Sequence, residues 1–231
     1  MKYALLHGWG GSKKSMEPLA GLLSKVGDEA ITYDLPGFGV EPNPPLSWGI
    51  DEYANFVEKQ ILVLIQNDNK EKVILIGHSF GGAISLKIAS KNPVWLAKIV
   101  VIAPSWKREL HESRIKNKEW RSRVKKLIPN SIKKMIYRLF FRKSDLYLRP
   151  DLESNYRKIV TQDLSMEVKN ITLPTLILWG DQDSYVPVAQ GKELNHLVQN
   201  SQLVILPAGR HGLPFQNPLW IVEQMKEHGF F

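Results

Sequence analysis

A serine enclosed by glycines is the first residue of this chain that could perform chemistry. Ser79 lies in "GHSFG" (77–81), which follows an apolar run and precedes a segment of helical pattern. A sharp turn between a strand and a helix would hold the serine hydroxyl out at the end of the strand. The N–H groups at the start of the helix would favour negative charge there. The stretch predicts a nucleophile, although a serine that only caps the helix would have the same local sequence.

A serine hydroxyl is a weak nucleophile at neutral pH, so this hypothesis requires a base and a group that orients the base. Candidates for both occur later in the chain. Asp181 and Asp183 lie in "GDQDSYVP" (180–187), and His211 lies in "GRHG" (209–212). Each segment follows a strand pattern, and the order serine, acid, histidine is the one the motif requires. On these grounds either aspartate could be the acid. Surface positions are expected for His111, His196 and His228.

The glycine-rich stretch "LLHGWGGS" (5–12) could supply the groups that bind an oxyanion. It follows another strand pattern, so the backbone N–H of Trp9 could face the backbone N–H of Phe80 across Ser79. We expect His7 to support this loop by hydrogen bonding, and His78 to be structural. The alternative is that the glycines only form a turn.

The rest of the chain alternates strand-like apolar runs with amphipathic helical stretches, the pattern of a parallel sheet covered on both faces. The last helix should begin at Pro218 with Asn217 as its N-cap. The other helices are predicted near 16–26, 50–66, 80–91 and 188–198. The six predicted strands are 2–7, 29–34, 72–77, 96–103, 175–180 and 202–206.

Length and composition limit the possible classes of protein. With 231 residues, 43% of them apolar, the chain can bury one sizeable core. It contains no cysteine, which excludes disulfides and thiolate chemistry. The sequence has no apolar run long enough for a membrane span and no leader pattern after Met1. We therefore expect one main soluble domain in the cytoplasm.

The net charge of +8 comes from one segment. Residues 106–165 contain 17 Lys and Arg against 7 Asp and Glu, a net of +10, and the remainder of the chain carries −2. This segment also has helical periodicity and no strand pattern. We interpret residues 105–170 as a helical cap inserted into a core formed by residues 1–104 and 171–231. Because the charge is confined to the cap, nucleic-acid binding is not expected.

Five motifs together resemble the α/β-hydrolase family, and within it the small cap-bearing serine esterases. This branch includes carboxylesterases, biotin-pathway methyl-ester esterases and ring-cleavage-product hydrolases. The motifs are "HGWGG" (7–11), "DLPGFG" (34–39), "GHSFGG" (77–82), "WGDQDSYVP" (179–187) and "GRHG" (209–212). The resemblance implies an α/β-hydrolase fold with a mostly parallel sheet of about six strands, because the usual first hairpin is missing.

The family pattern places the acid on Asp183, so the implied catalytic residues are Ser79, Asp183 and His211. Asp34 is implied to be structural. The resemblance further implies hydrolysis of small to medium carboxylic esters through an acyl-enzyme, without a metal ion or cofactor. The alternatives are a carbon–carbon bond hydrolase that uses the same residues and a non-catalytic ligand-binding member of the fold. The backbone N–H groups of Trp9 and Phe80 are expected to bind the oxyanion. The expected lining of the substrate pocket is Trp9, Phe80, Trp106 and Val186.

The predicted cap contains an amphipathic stretch at 130–143 with an apolar stripe. We expect this stripe to close over the active site and the cationic residues to point away from it. Weak contact with an anionic membrane and binding of a partner are the alternatives. The stripe consists of Ile132, Met135, Ile136, Leu139 and Phe140, and the cationic residues are Lys133, Lys134 and Arg138.

Overall fold

Six strands form one sheet in which each pairing is parallel. The structure, a computed structural model, describes residues 1–26, 29–45, 48–66, 71–107 and 149–231. In chain order the strands are β1 (Lys2–Leu6), β2 (Glu29–Tyr33), β3 (Val73–His78), β4 (Leu96–Ile102), β5 (Thr175–Gly180) and β6 (Ser201–Leu206). Each predicted strand is confirmed, with bounds that differ by one residue at most.

The order of the strands creates a crevice at the carboxyl edge of the sheet. The order is β2-β1-β3-β4-β5-β6, so the chain leaves β1 towards one side of the sheet and returns to β3 on the other. Loops that follow adjacent strands at such a reversal diverge, and open parallel sheets bind their ligands there. The register pairs Leu6 with Gly77, so β1 and β3 end side by side. The "HGWGG" and "GHSFGG" motifs therefore meet at this crevice.

Helices cover both faces of the sheet. The described helices are α1 (Glu17–Leu23), α2 (Ile50–Ile65), α3 (Phe80–Ala89), α4 (Glu153–Ile159), α5 (Val188–Leu197), α6 (Leu213–Gln216) and α7 (Pro218–Glu227). The predicted core helices are all present. Asn217 occupies the N-cap position of α7, as predicted, but its side chain makes no capping hydrogen bond.

Two apolar clusters form the core, one on each face of the sheet. Helices α2, α3 and α5 contribute to one cluster, and α1, α6 and α7 contribute to the other. The central strand β3 is buried along its whole length, as a run of apolar residues without alternation predicts. Helix α2 shows the amphipathic pattern, because it buries Ile50, Tyr53, Ala54, Val57, Ile61 and Ile65 along one side.

The predicted cap falls largely outside the described residues, and so does its stripe from Ile132 to Phe140. The described part after residue 148 contains a 3₁₀ turn (Pro150–Leu152) and α4. The Asn155 side-chain amide donates to the Pro45 carbonyl at 3.2 Å, which fastens α4 to the loop before α2. None of the helices in the described ranges is both long and apolar enough to cross a membrane.

Candidate active site

Ser79 stands at a strained turn between β3 and α3. Its φ of 52° and ψ of −111° lie in a region that residues other than glycine rarely adopt. The Ser79 N–H donates to the Ile102 carbonyl at 2.9 Å, and the Ser79 carbonyl accepts from Ala83 and Ser105, each at 3.1 Å. These bonds to α3 and to β4 with its following loop hold the backbone in the strained conformation. The predicted elbow between strand and helix is confirmed.

The two flanking glycines are required because other atoms approach them closely. A Cβ at Gly77 would lie 2.3 Å from the Ser85 hydroxyl oxygen, and a Cβ at Gly81 would lie 2.5 Å from the Leu6 carbonyl oxygen. The Gly81 N–H also donates to the His7 carbonyl at 3.1 Å. The start of α3 is thus pressed against the end of β1, which brings the loop after β1 beside Ser79.

His211 and Asp183 are joined by a short hydrogen bond. The His211 Nδ1 lies 2.6 Å from the Asp183 Oδ2, and the Asp183 side chain is fully buried. The Asp183 Oδ1 accepts from the backbone N–H groups of Tyr185 (2.8 Å) and Val186 (2.9 Å). Because a carboxylate can only accept, the His211 Nδ1 carries a hydrogen, so the neutral form of the ring has its lone pair on Nε2.

The structure separates the two candidate acids clearly. Asp181 is exposed, whereas Asp183 is buried and holds His211. The backbone N–H of Asp181 donates to the Leu206 carbonyl at 3.2 Å, which ties the loop after β5 to the end of β6. A Cβ at Gly180 would lie 2.3 Å from the Gly209 backbone, so the two loops pack directly on each other.

The loop after β1 is fixed by the buried side chain of His7. The His7 Nδ1–H donates to the Gly8 carbonyl at 2.8 Å, and its Nε2 accepts from the Leu35 N–H at 3.1 Å. Burial lowers the pKa of His7, which favours this neutral form. A Cβ at Gly8 would lie 3.2 Å from the Ser79 Cβ, so the loop passes in contact with the serine. The predicted support by His7 is confirmed.

Trp9 stands in a group of aromatic side chains beside this loop. Its ring centroid lies 5.0 Å from that of Phe38, 5.5 Å from that of Phe80 and 5.2 Å from that of Tyr156. Phe80 is 2% exposed and also contacts Tyr53 at 5.0 Å. The Phe80 ring therefore packs in the core beneath Trp9.

The other two predicted pocket residues are also buried. Trp106 is fully buried beside Ser105, and its indole Nε1 has no hydrogen-bond partner within the described part of the chain. Val186 is 8% exposed, and its carbonyl accepts from the Trp179 Nε1 at 3.0 Å. The backbone N–H of Val186 is the group that reaches the site, through its bond to Asp183.

Two aromatic residues near the site were missed by the sequence reasoning. The Tyr185 ring lies 5.2 Å from the His211 ring and is 58% exposed, so it stands at the mouth of the crevice. Its place between Asp183 and Pro187 in the family motif was the available signal. Tyr156 belongs to α4 and contacts Trp9 from the side of the predicted cap. Nothing in the local sequence around Tyr156 indicated this contact.

Asp34 supports the loop after β2. Its carboxylate accepts from the backbone N–H groups of Lys13 (2.7 Å) and Val40 (3.1 Å), in agreement with the predicted structural role. Within the described ranges, no three His, Asp or Glu side chains come together in a way that could hold a metal ion.

Comparison with known proteins identifies the family. Residues 4–224 match the model described as "Alpha/beta hydrolase family", and the chain therefore belongs to the α/β-hydrolase family. It is 29% identical to the uncharacterized hydrolase YugF of Bacillus subtilis, over 96% of this chain and 87% of that protein. It is 25% identical to the pimeloyl-acyl-carrier-protein methyl ester esterase of Legionella pneumophila, over 93% of this chain and 89% of that protein.

The fold is shared with solved structures as well. The chain superposes with a TM-score of 0.75 on a lipase-esterase related protein from Clostridium acetobutylicum, at 21% identity, covering 98% of this chain and 93% of that one. At that identity the likeness shows the fold alone. Together with the family match and the relatives, it makes this protein a hydrolase of the α/β-hydrolase fold.

Proposed function

We propose that this protein is a serine hydrolase that cleaves small to medium carboxylic esters through an acyl-enzyme on Ser79. The observation that carries the proposal is the 2.6 Å bond between the His211 Nδ1 and the buried carboxylate of Asp183. The strained position of Ser79 at the start of α3 supports it further. The activity for which the methyl ester esterase of Legionella pneumophila is named agrees with an ester substrate.

In the proposed mechanism His211 is the base and Asp183 orients it. The His211 Nε2 takes the hydroxyl proton as the Ser79 Oγ attacks the ester carbonyl carbon, and a tetrahedral oxyanion forms. When the intermediate collapses, the bond to the leaving oxygen breaks and the histidine gives its proton to the departing alcohol. A water molecule then attacks the acyl-enzyme with the same base, and the acid product and free Ser79 result.

The oxyanion in this mechanism is bound by the backbone N–H groups of Trp9 and Phe80. Phe80 is the first residue of α3, so its N–H has no acceptor within the helix. The helix dipole adds positive potential at this point. Contact between Gly8 and Ser79 supports the placement of Trp9, since Trp9 follows directly in the same loop. Loss of one donor from an oxyanion hole typically costs about 10² to 10³ in kcat.

We propose that the four predicted pocket residues act in different ways. Trp9 is half-buried and forms a wall of the acyl or alcohol pocket. Phe80, Trp106 and Val186 are buried and support the pocket wall from the side of the core. We further propose that the cap predicted at residues 105–170 selects the substrate.

A panel of chromogenic esters of increasing acyl length tests the proposal, with a thioester and a vinylogous diketone assayed in parallel. We expect an initial burst equal to the enzyme concentration on short esters, followed by steady turnover, and loss of both in the Ser79→Ala variant. Turnover of the diketone alone would indicate a carbon–carbon bond hydrolase. Stoichiometric labelling without turnover would indicate a ligand-binding member of the fold.

A further inference from the structure

His78 makes a contact that links the two halves of the candidate site. It is the last residue of β3 and precedes Ser79, and its Nε2 lies 2.8 Å from the backbone carbonyl oxygen of His211. The two imidazole rings are also in contact, with centroids 4.8 Å apart and planes at 48°. The residues joined in this way are 133 positions apart in the sequence. Of the hydrogen bonds that His211 makes in the described structure, this is the one made by its main chain.

The chemistry of the contact fixes the state of the His78 ring. A carbonyl oxygen can only accept, so the His78 Nε2 must carry a hydrogen and donate it. Burial, and after it the nearby His211, lower the pKa of His78 to about 3, against the opposing effects of its own bond to the His211 carbonyl and of Asp183. The ring is therefore neutral, and its donor is directed at the loop that carries His211.

The other edge of the same ring faces the loop after β1. A Cβ at Gly8 would lie 3.1 Å from the His78 Nδ1, so the ring fits between that loop and the loop after β6. A non-polar side chain of similar size could fill this space. It could not donate to the His211 carbonyl, which would then lose this partner.

We propose that His78 is a positioning residue whose N–H clamps the main chain of His211 at a set distance from Ser79. The inference rests on the proposed function, because it gives His211 the role of base. Asp183 controls the orientation of the His211 ring through Nδ1, and His78 controls the position of the residue through its carbonyl. Because His78 and Ser79 are adjacent, the clamp connects nucleophile and base through one hydrogen bond and one peptide unit.

Two substitutions at His78 separate the clamp from simple space filling. In His78→Gln the side-chain amide can place an N–H near the position of the imidazole Nε2–H. In His78→Met the side chain has nearly the same length and no donor. We expect kcat on a short soluble ester to fall about 10- to 100-fold in His78→Met, the range for a lost buried hydrogen bond that also shifts the base. In His78→Gln we expect a fall of less than about threefold, and in both variants a KM within about twofold of the parent.

Hydrogen exchange provides a readout that does not depend on catalysis. Amides of residues 209–212 should exchange about 5- to 10-fold faster in His78→Met than in the parent, and His78→Gln should stay near the parent, since one net hydrogen bond is lost in the first variant only. His196, exposed on α5, provides the control, and His196→Met should change neither measurement. Circular dichroism and thermal unfolding confirm that each variant folds.

The outcomes distinguish this inference from the proposed function. If the parent does not hydrolyse esters but exchange at 209–212 rises in His78→Met alone, the proposed function is wrong and the clamp on the loop stands. If Gln and Met give equal kcat and equal exchange, His78 only fills space and the inference is overturned. If KM rises while kcat is unchanged, His78 acts on substrate binding and the inference is equally overturned.

Discussion

Replacing Asp183 by Asn should remove most of the activity while leaving the loop after β5 in place. The Asp183 carboxylate accepts three hydrogen bonds, two from the backbone of Tyr185 and Val186 and one from His211. An asparagine can keep its oxygen on the two backbone groups, and its NH₂ group then faces the His211 Nδ1. Two donors cannot share that contact, so the imidazole would shift its proton to Nε2, the atom that has to accept from Ser79.

The expected loss follows from this change of tautomer. With the lone pair on the wrong nitrogen, kcat should fall by about 10² to 10⁴, equivalent to about 3 to 5 kcal/mol of activation free energy. Asp181→Asn is the matched control, because Asp181 belongs to the same loop and is exposed. It should change kcat by less than about threefold.

Steady-state kinetics on a short chromogenic ester, with the thermal unfolding midpoint measured for each variant, provides the assay. A kcat loss in Asp181→Asn that exceeds the loss in Asp183→Asn would refute the reasoning and move the acid to Asp181. Equal small losses in both variants would mean that His211 needs no carboxylate partner.

Three further predictions concern stability, the elbow and the cap. The unfolded chain protonates His78 below about pH 6.5 whereas the fold keeps it neutral to about pH 3, so stability falls with decreasing pH in that window. Urea unfolding at pH 7, 6 and 5 should show the parent losing about 0.7 kcal/mol more than His78→Gln between pH 7 and 6, and about 1.2 kcal/mol more between pH 6 and 5. Gly81→Ala should lower the unfolding free energy by more than about 1 kcal/mol, measured in urea, because its Cβ would lie 2.5 Å from the Leu6 carbonyl; a stability equal to the parent's would mean that the elbow relaxes freely. A variant in which Gln replaces Lys133, Lys134 and Arg138 tests the cap. If the cap only shapes a pocket, the parent and this variant should co-sediment equally weakly with anionic vesicles at low salt. Binding by the parent that is lost in the variant would indicate a lipid-facing cap.

Local sequence patterns were sufficient to predict the sheet and the turn at Ser79. The central strand β3 is an apolar run, and the glycines at 77 and 81 have the close contacts that their places in the elbow motif imply. The contact between His7 and its own loop could also be predicted, because both groups are close in the chain. These features depend on short-range geometry, which the sequence expresses directly.

The features that sequence could not supply depend on contacts between distant segments. The order of the segments left Asp181 and Asp183 equivalent and only the family resemblance favoured Asp183, whereas the structure distinguishes them by burial and by the bond to His211. The bond from His78 to the carbonyl of His211 joins β3 to the loop after β6, and no local pattern indicates which backbone group a buried histidine will reach. The Phe80 ring packs in the core even though its N–H faces the crevice in the proposed mechanism, because side chain and backbone of one residue can serve different regions.

The most direct test of the central claim is to identify the residue that acts as the nucleophile and forms a covalent adduct. The protein is treated with a fluorophosphonate, digested, and analysed by peptide mass spectrometry, with Ser79→Ala and Ser85→Ala as variants. Ser85 lies on α3 and is fully buried, with its hydroxyl donating to the Gly81 carbonyl, so it is a serine of the same segment without the strained position. We expect one adduct per chain, on the peptide that contains Ser79, which persists in Ser85→Ala and disappears in Ser79→Ala. An adduct that survives in a folded Ser79→Ala variant, or ester turnover by that variant at the parent's rate, would contradict the account.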